Sequence, residues 1–587
     1  MQQHSEFMLN QRPQIASAGA AKEWIKSLPL TDARAAHHAI ESLLREFDET
    51  ALPARERLEI LEAVRPHRIE IDAHYARRYT SKALPLAEAE RTAFGHACSL
   101  WSRLEAAYWH CARAAAADEP DLRPHLTLCL ARAADLACER IKGTLRAGQA
   151  LDGTIQEALT RYASFAREHG VHTSRAIDNE HPKRAVSVAS VHSRGLLLAL
   201  TGGALPGRER ECAFDLAALW ETKAITAWLP SGLTRALTRD DLPPSKEPAK
   251  QRIRIVHGAG QIYFIDVTAL SRSLRKRVHL LGLDQSMDEL GLPPSFPSAG
   301  AAKLLTRLHG IWCDEEYGRR HVRAAPAVIH TGTTGAAPAD APGARYNVPV
   351  APGGERLDAM LCLVTGEPFM ANDGNDVTSR KRFDEMVVFG GGSHGRRDKL
   401  MREAQREIER WRVADYSASG ARLARSAAGA RYKPGCLIAW RDSARGVDGV
   451  AHLAEVRWVM ETAGAASAAS AAGAAGAAAT ASAAGAVESG GGGAGTTLEA
   501  GVEILARAPT GIAIRAAGIN SAASQSWTAA FRIETAGGVQ CLVTPAGWHK
   551  PGRVIEVSTA KQVERWALGA LKRRGADFEV FEASPAP

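Results

Sequence analysis

Residues 411–423 decide how the C-terminal part of the chain folds; they read Trp411-Arg-Val-Ala-Asp415-Tyr-Ser417-Ala-Ser-Gly420-Ala-Arg-Leu423. Two strand-like segments here flank a short run of small and polar residues, which is typical of a connection between β-strands. Asp415, Ser417 and Gly420 form the pattern Asp-x-Ser-x-x-Gly. The pattern combines a carboxylate, a hydroxyl and a residue that permits close approach of the backbone.

More strands are predicted downstream of this stretch. Residues 453–460 alternate with a period of two, which indicates a half-buried strand. Many short strands with Gly and Pro between them indicate a barrel or a sandwich. The turns Lys433-Pro434-Gly435 and Lys550-Pro551-Gly552 are alike and each precedes a strand, so we expect a second barrel-like unit after the first. The other predicted strands are Val502–Arg507, Gly511–Arg515, Trp527–Ile533, Val539–Thr544 and Arg553–Val557.

Residues 463–497 differ from the rest of the chain because they are almost entirely Ala, Gly, Ser and Thr. Such a segment cannot bury enough apolar surface to offset the entropy of ordering it. We therefore expect a disordered insertion. Because it lies between two predicted strands, we place it at a loop tip of the barrel.

The N-terminal part of the chain is predicted to be helical. In residues 154–170, apolar side chains recur at helical spacing, Thr154 and Glu157 have the spacing of a capping box, and Gly170 ends the segment. Short polar breaks between helices indicate a bundle or a helical array. Similar apolar stripes occur in Asp32–Glu49, Arg55–Tyr79, Leu86–Ala117 and Leu126–Leu145.

Residues 190–370 mix the two patterns. Ile262–Val267 is predicted to be a strand, and Ala269–Leu281 is predicted to be a basic amphipathic helix. The sequence thus predicts a multidomain α+β protein with a helical N-terminal half, a mixed middle module and a C-terminal antiparallel barrel. The predicted divisions are 1–180 (helical), 190–370 (mixed), 376–462 (first part of the barrel), 463–497 (insertion) and 498–580 (the rest of the barrel and a second barrel-like unit).

Composition limits the function classes. The 587 residues carry a net charge of +8, with 45% apolar and 24% charged residues, as in ordinary globular proteins. This charge excess is too diffuse for a protein that coats nucleic acid, so we expect no DNA partner. The nine cysteines form no C-x-x-C pair and no metal-ligand motif is present, so we expect no metal. An N-terminus without an apolar signal region, and no apolar run of membrane length, predict a cytoplasmic protein.

Four pieces of the C-terminal sequence occur in the order typical of one family. They are Asp415-x-Ser417-x-x-Gly420, Gly435-Cys-Leu-Ile-Ala-Trp440, Ala454-Glu-Val-Arg-Trp458 and Gly501-Val-Glu-Ile-Leu505. Over roughly residues 395–510, this set resembles the PilZ domain, a six-stranded barrel family that binds cyclic di-GMP. The resemblance implies a cyclic di-GMP site and says nothing about the N-terminal half.

The resemblance also implies a role for each residue of the pattern. Asp415 would accept hydrogen bonds from the N1–H and N2–H edge of guanine, with Ser417 beside it, and Gly420 would permit a close backbone approach. Arginines would hold the phosphates and stack on the bases. The family supplies them from an R-x-x-x-R motif located some twenty or more residues before the aspartate.

This sequence departs from the family's arginine pattern. Arg402 and Arg406 have the R-x-x-x-R spacing but lie close to Asp415 on a predicted helix, whereas Arg396 and Arg397 are at a better distance without the spacing. We favour Arg396 and Arg397 and keep the other pair as the alternative. Residues 376–425 contain 12 Lys and Arg against 8 Asp and Glu, which favours an anionic partner.

The expected function is that of a non-enzymatic cytoplasmic sensor or adaptor that binds cyclic di-GMP and needs no cofactor. The helical half would contact an unidentified protein partner, because helical arrays present extended grooves. One alternative is a PilZ-like scaffold that binds no nucleotide. A third interpretation is a serine hydrolase built on Ser393, which lies in a G-x-S-x-G pattern at 391–395. The antiparallel character of the downstream sequence disfavours it.

Overall fold

The computed structural model divides the chain into two compact units, Met1–Lys82 with Leu86–Arg320 and Ala83–Pro85 with His321–Pro587. We call them the helical unit and the barrel unit. The structure describes residues 17–586 except for 50–51, 118–120, 178–184, 204, 229–252, 259–260, 294–295, 297–299, 315–346, 355–356, 370–391, 418, 442–448, 464–495, 518–526, 536–537 and 559–562.

Among the described residues, six α-helices between Ala18 and Glu168 provide most of the core of the helical unit. Their apolar faces pack on one another, and α4 contacts both α3 and α5. Ala97, Leu100, Ala133, Ala134 and Ile141 are fully buried at these contacts. The helices are α1 (Ala18–Lys26), α2 (Ala33–Glu49), α3 (Ala54–Tyr79), α4 (Glu88–Ala116), α5 (Leu126–Arg146) and α6 (Gly153–Glu168).

The start of α6 corrects one detail of the prediction. Asp152 is the N-cap, and its side chain accepts a hydrogen bond from the backbone N–H of Thr154. The predicted capping box of Thr154 and Glu157 is therefore wrong, because Asp152 already satisfies the first turn. The end of the helix is as predicted, with Gly170 in a left-handed conformation at φ +70°.

The remainder of the helical unit is mixed. A three-stranded antiparallel sheet has the order β3-β5-β4, and β1 pairs with β2. In the part of the chain that the structure describes, no helix is long and apolar enough to cross a membrane. The elements are β1 (Ala176–Ile177), β2 (Ala185–Val186), α7 (Val188–Thr201), α8 (Gly207–Leu219), β3 (Ile225–Trp228), β4 (Ile253–Gly258), β5 (Gln261–Asp266), α9 (Thr268–Leu281) and α10 (Ala301–Cys313).

The first of two closed barrels in the barrel unit has six antiparallel strands in the order β10-β11-β8-β7-β6-β9. The described residues between its first and second strands include two helices, α11 (Asp358–Thr365) and α12 (Gly392–Glu407). The strands are β6 (Asn347–Pro352), β7 (Glu409–Tyr416), β8 (Gly420–Ser426), β9 (Leu437–Arg441), β10 (Ala451–Ala463) and β11 (Thr496–Arg507).

The second barrel repeats the topology of the first. Its order is β12-β13-β14-β17-β16-β15, so in both barrels the six consecutive strands close in the circular order 1-2-3-6-5-4. The two Lys-Pro-Gly turns precede the fourth strand of each barrel, and Gly435 and Gly552 both have positive φ. The strands are β12 (Thr510–Ala516), β13 (Thr528–Glu534), β14 (Gln540–Pro545), β15 (Val554–Ser558), β16 (Val563–Arg574) and β17 (Phe578–Pro585).

A continuous apolar core joins the two barrels. Met360 of α11 is fully buried in this core, which also includes Ala439 of the first barrel and Phe531 of the second. At the edge of the core, Asp577 Oδ1 accepts a hydrogen bond of 2.9 Å from the backbone N–H of Leu437. The two barrels are therefore parts of one packed unit.

The predicted multidomain α+β fold is confirmed, but its boundaries need correction. β6 and α11 belong to the barrel unit although the sequence places them in the mixed module, so the boundary at 376 is too late. β10 is a strand as predicted, but its first six residues are all buried instead of alternating. One face of β10 lines the interior of the first barrel. The opposite face of β10 is partly covered by the core between the two barrels. The predicted insertion lies outside the described residues, except for Ala463, Thr496 and Thr497, which extend β10 and β11.

Candidate functional site

The Asp-x-Ser-x-x-Gly pattern forms the connection between β7 and β8. Asp415 is paired in register with Arg422, and a register irregularity separates this pair from Val413 and Leu423. A bulge of this kind changes the direction in which the following side chain points, and bulges are common beside functional sites. The structure thus brings Asp415, Ser417 and Gly420 into one tight hairpin on the first barrel.

A row of residues crosses four neighbouring strands at this point. Trp458 of β10 pairs with Gly501 of β11, Gly501 pairs with Arg422 of β8, and Arg422 pairs with Asp415 of β7. Residues paired in register point to the same face of a sheet. We call Trp458, Gly501, Arg422 and Asp415 the cross-strand row.

The cross-strand row lies on the outer face of the barrel. The residues on either side of Arg422 in β8, Ala421 and Leu423, are buried, and so are Ala500 and Val502 on either side of Gly501. Because successive side chains of a strand alternate between faces, the row must point outward. The Arg422 side chain is correspondingly 40% exposed.

Gly501 allows the Trp458 indole to lie over the sheet. A Cβ atom added at position 501 would lie 2.0 Å from Trp458 Nε1, which is closer than any real contact. The indole therefore occupies the space above Gly501, and Trp458 remains partly exposed. An aromatic ring thus lies next to Arg422 in the same row.

The charged end of the row is an ion pair. Arg422 Nε lies 2.9 Å from Asp415 Oδ2, and Arg422 Nη1 lies 3.7 Å from Glu499 Oε2. The Asp415 side chain is 15% exposed and the pair is open to solvent on the arginine side. Chemically, the row offers an aromatic face, a guanidinium and a carboxylate.

The other two residues of the pattern shape the turn. Ser417 donates from its backbone N–H to the Gly420 carbonyl at 2.7 Å, and its hydroxyl donates to the same oxygen at 3.2 Å. A Cβ at position 420 would lie 2.3 Å from the backbone oxygen of Val502. Gly420 is therefore required by the close approach of β8 to β11.

The predicted arginines lie on α12, which precedes β7. Arg397 is exposed and lies 3.4 Å from Glu367, and Arg402 Nε donates to the carbonyl of Asp398 at 3.1 Å. Arg406 is exposed on the same helix. Arg396 lies within α12, but its side chain is outside the described residues. The choice between the two arginine pairs therefore stays a prediction.

Ser393 lies in the first turn of α12, whereas a nucleophilic serine of the G-x-S-x-G type requires a sharp turn between a strand and a helix. Residues 370–391, which precede α12, lie outside the described residues. The strands that follow α12 form a closed antiparallel barrel and not a parallel sheet. The fold around Ser393 thus differs from the setting of such a nucleophile.

Arg422 was not predicted as a site residue from the sequence, and Trp458 and Gly501 were not assigned to a site. Arg422 could have been predicted from the sequence. A tight hairpin places the residues on its two sides opposite each other, and Arg422 lies on the opposite side of the hairpin from Asp415. Trp458 and Gly501 were part of the family pattern, but their contact depends on the register of β10 with β11.

The second barrel has Glu534 and Thr535 in the equivalent connection between β13 and β14, without the Asp-x-Ser-x-x-Gly pattern.

Comparison with known proteins gives a match in the helical unit. Residues 19–226 match the family model described as the N-terminal domain of the cyclic-di-GMP receptor FimW. The match covers the helical unit as far as β3 and includes neither barrel. No curated protein and no solved structure matches the chain. In its helical part, therefore, the chain is similar to the N-terminal domain of a cyclic di-GMP receptor.

Proposed function

We propose that the protein is a non-enzymatic sensor or adaptor of PilZ type that binds cyclic di-GMP on the outer face of its first barrel. The cross-strand row is the observation that carries this proposal. The similarity of residues 19–226 to a domain of a cyclic di-GMP receptor supports the same ligand independently of the barrel.

The chemistry of the row suits a guanine nucleotide. Asp415 offers an acceptor for the N1–H and N2–H edge of guanine, and the Trp458 indole offers a face on which a base can stack. The Arg422 guanidinium can form paired hydrogen bonds with a phosphate. Binding would then require Arg422 to exchange part of its contact with Asp415 for a contact with the ligand.

The arginines of α12 complete the proposal. Arg396 and Arg397, or Arg402 and Arg406, would supply further cations for the two phosphates. We propose that the helical unit contacts a protein partner and transmits the signal, and that the protein acts in the cytoplasm.

A scaffold that binds no nucleotide is the second candidate. Its specific support is that Arg422 already joins Asp415 and Glu499 on the barrel surface and that Gly420 is explained by strand packing alone. Each residue of the pattern then has a structural role without a ligand.

Titration calorimetry of the full-length protein with cyclic di-GMP separates the two candidates. We expect saturable binding that Asp415→Ala weakens on the order of tenfold to a hundredfold, because a hydrogen bond to a charged group contributes roughly 1.5–3 kcal/mol. Glu534→Ala is the matched control, since it removes a carboxylate at the equivalent end of the second strand in the second barrel. Absence of binding up to about 1 mM ligand would favour the scaffold.

A further inference from the structure

The helical unit contains a cavity of about 690 Å³, remote in sequence from the barrel residues already described. It lies among α3, α4, α5, α7 and α8. Pockets that hold small organic ligands have volumes of about 300–1,000 Å³, whereas packed protein interiors contain few voids larger than a water molecule. Its volume therefore lies within the range of ligand pockets.

The lining of the cavity is strongly charged. Seven cationic and four acidic side chains line it, so cations are in excess. Arg68 and Arg194 are each only 5% exposed. Arg68 Nη1 lies 2.7 Å from Asp72 Oδ2, and Arg194 pairs with Asp135 and lies 3.4 Å from Glu221. Burying such charges costs free energy that well-packed apolar residues would not cost. Stability therefore does not explain why these buried ion pairs surround a cavity.

Several buried polar atoms in the lining lack partners. Among the described residues, Arg68 Nε, Asp72 Oδ1, Tyr79 Oη and Arg194 Nε have no hydrogen-bond partner. A buried donor or acceptor without a hydrogen-bond partner lowers the free energy of unfolding by about 1–3 kcal/mol. Four such atoms on residues that line one cavity point to a ligand that offers both acceptors and donors.

The lining is also held in place. Trp101 Nε1 donates to Asp72 Oδ2 at 2.8 Å, and a Cβ added to Gly143 would lie 2.3 Å from the Trp101 ring. The indole is thus fixed against α5, and it fixes the Asp72 carboxylate in turn. Burial raises the pKa of Asp72 to about 6, and shifts of this kind are common at functional sites.

We propose that this cavity binds a phosphorylated small molecule of nucleotide size. Its phosphates would contact the guanidinium groups of Arg68, Arg77 and Arg194, and its ring or sugar would reach Tyr79 and Asp72. Guanidinium groups suit phosphates because they donate paired hydrogen bonds. This site is separate from the one proposed on the barrel and does not depend on it.

The test uses the full-length chain carrying Asp415→Ala, so that ligand binding at the barrel is weakened. Inorganic pyrophosphate and guanosine triphosphate are the probes, titrated by calorimetry. We expect saturable, salt-sensitive binding of the triphosphate with one molecule per chain, and competition by pyrophosphate.

Three variants locate that binding. Arg77→Gln should weaken it on the order of tenfold or more. Arg78→Gln is the matched control, since Arg78 is the neighbouring exposed arginine outside the lining. Tyr79→Phe removes only an unpartnered hydroxyl, so the variant should fold normally yet bind roughly 2- to 10-fold more weakly. If neither probe binds up to about 1 mM, or if Arg78→Gln weakens binding as much as Arg77→Gln, the proposal is wrong.

Discussion

Trp458 lies over Gly501 on the outer face of the first barrel, so that a Cβ atom at position 501 would come within 2.0 Å of the indole nitrogen. The two residues are register partners on β10 and β11. This contact places an aromatic face beside Arg422 and Asp415. The proposed site therefore depends on a glycine that touches no ligand itself.

Gly501→Ala should displace the Trp458 indole. Forcing extra atoms into a packed contact typically costs about 1–3 kcal/mol, and the displaced ring should no longer support a stacked base. Denaturant unfolding and cyclic di-GMP titration measure the two effects. The control is Gly95→Ala in the exposed interior of α4, where a Cβ meets nothing within 4 Å, so it should stabilise the protein by up to about 1 kcal/mol. An unchanged stability of Gly501→Ala would contradict the packing described.

Arg425→Met should destabilise the first barrel. Arg425 Nε lies 3.0 Å from Glu409 Oε2, its guanidinium donates to three backbone carbonyls, and it stacks 5.0 Å from the Trp411 ring. Removing one partner of a buried ion pair costs about 3–5 kcal/mol. Thermal unfolding checks this, with the exposed Arg410→Gln as control. If Arg425→Met lowers the stability no more than Arg410→Gln does, the contacts of Arg425 contribute little to the stability of the barrel.

Glu41 should stabilise the helical unit at neutral pH, and this contribution should be lost in acid. Burial opposes its ionisation, but the close contact with His37 and the hydrogen bond from the Ser99 hydroxyl outweigh this and lower the pKa of Glu41 from 4.5 to about 2. The resulting stability is present above pH 4.5 and is lost as the pH falls towards 2. Glu41→Gln should lose about 1 kcal/mol at neutral pH, after allowance for solvent screening, and the difference should vanish in acid. Glu23→Gln, at a largely exposed carboxylate, is the control. Parallel pH profiles for both variants would contradict this prediction.

Replacing residues 464–495 with a two-residue Asn-Gly turn should leave the first barrel folded. Ala463 and Thr496 are register partners at the ends of β10 and β11, so the ends of the segment are already adjacent. Stability depends only weakly on loop length, so the shorter loop should stabilise the protein by on the order of 1–2 kcal/mol at most. Thermal unfolding measures this, and lengthening the segment with Gly and Ser should have a small opposite effect. Aggregation or early unfolding of the shortened protein would indicate packed structure in the segment.

Periodicity predicted the elements whose burial pattern is simple. Five helices in the N-terminal part lie within a few residues of their predicted bounds, because apolar residues recur at helical spacing along each of them. β16 and β17 were not predicted, since β16 ends in the polar run Lys572-Arg-Arg574, and β17 is buried on both faces over Phe578–Phe581. β6 was missed because two helices separate it in sequence from the next strand of its barrel.

The proposed sites were less predictable than the fold. Asp415, Ser417 and Gly420 are close in sequence, so local pattern alone brought them together. Trp458 and Arg422 share a row only because of the register among β8, β10 and β11, which no local pattern encodes. Trp101 is buried, and its position beside Asp72 in the cavity depends on how α3 and α4 pack.

Hydrogen–deuterium exchange of the full-length protein, with and without saturating cyclic di-GMP, tests the central claim most directly. We predict slower exchange in the connection between β7 and β8 and in the segments around Trp458 and Gly501. The equivalent connection in the second barrel, between Glu534 and Gln540, should be unchanged and serves as the internal control. Protection that is absent from the first barrel, or equal in both barrels, would contradict the proposed site.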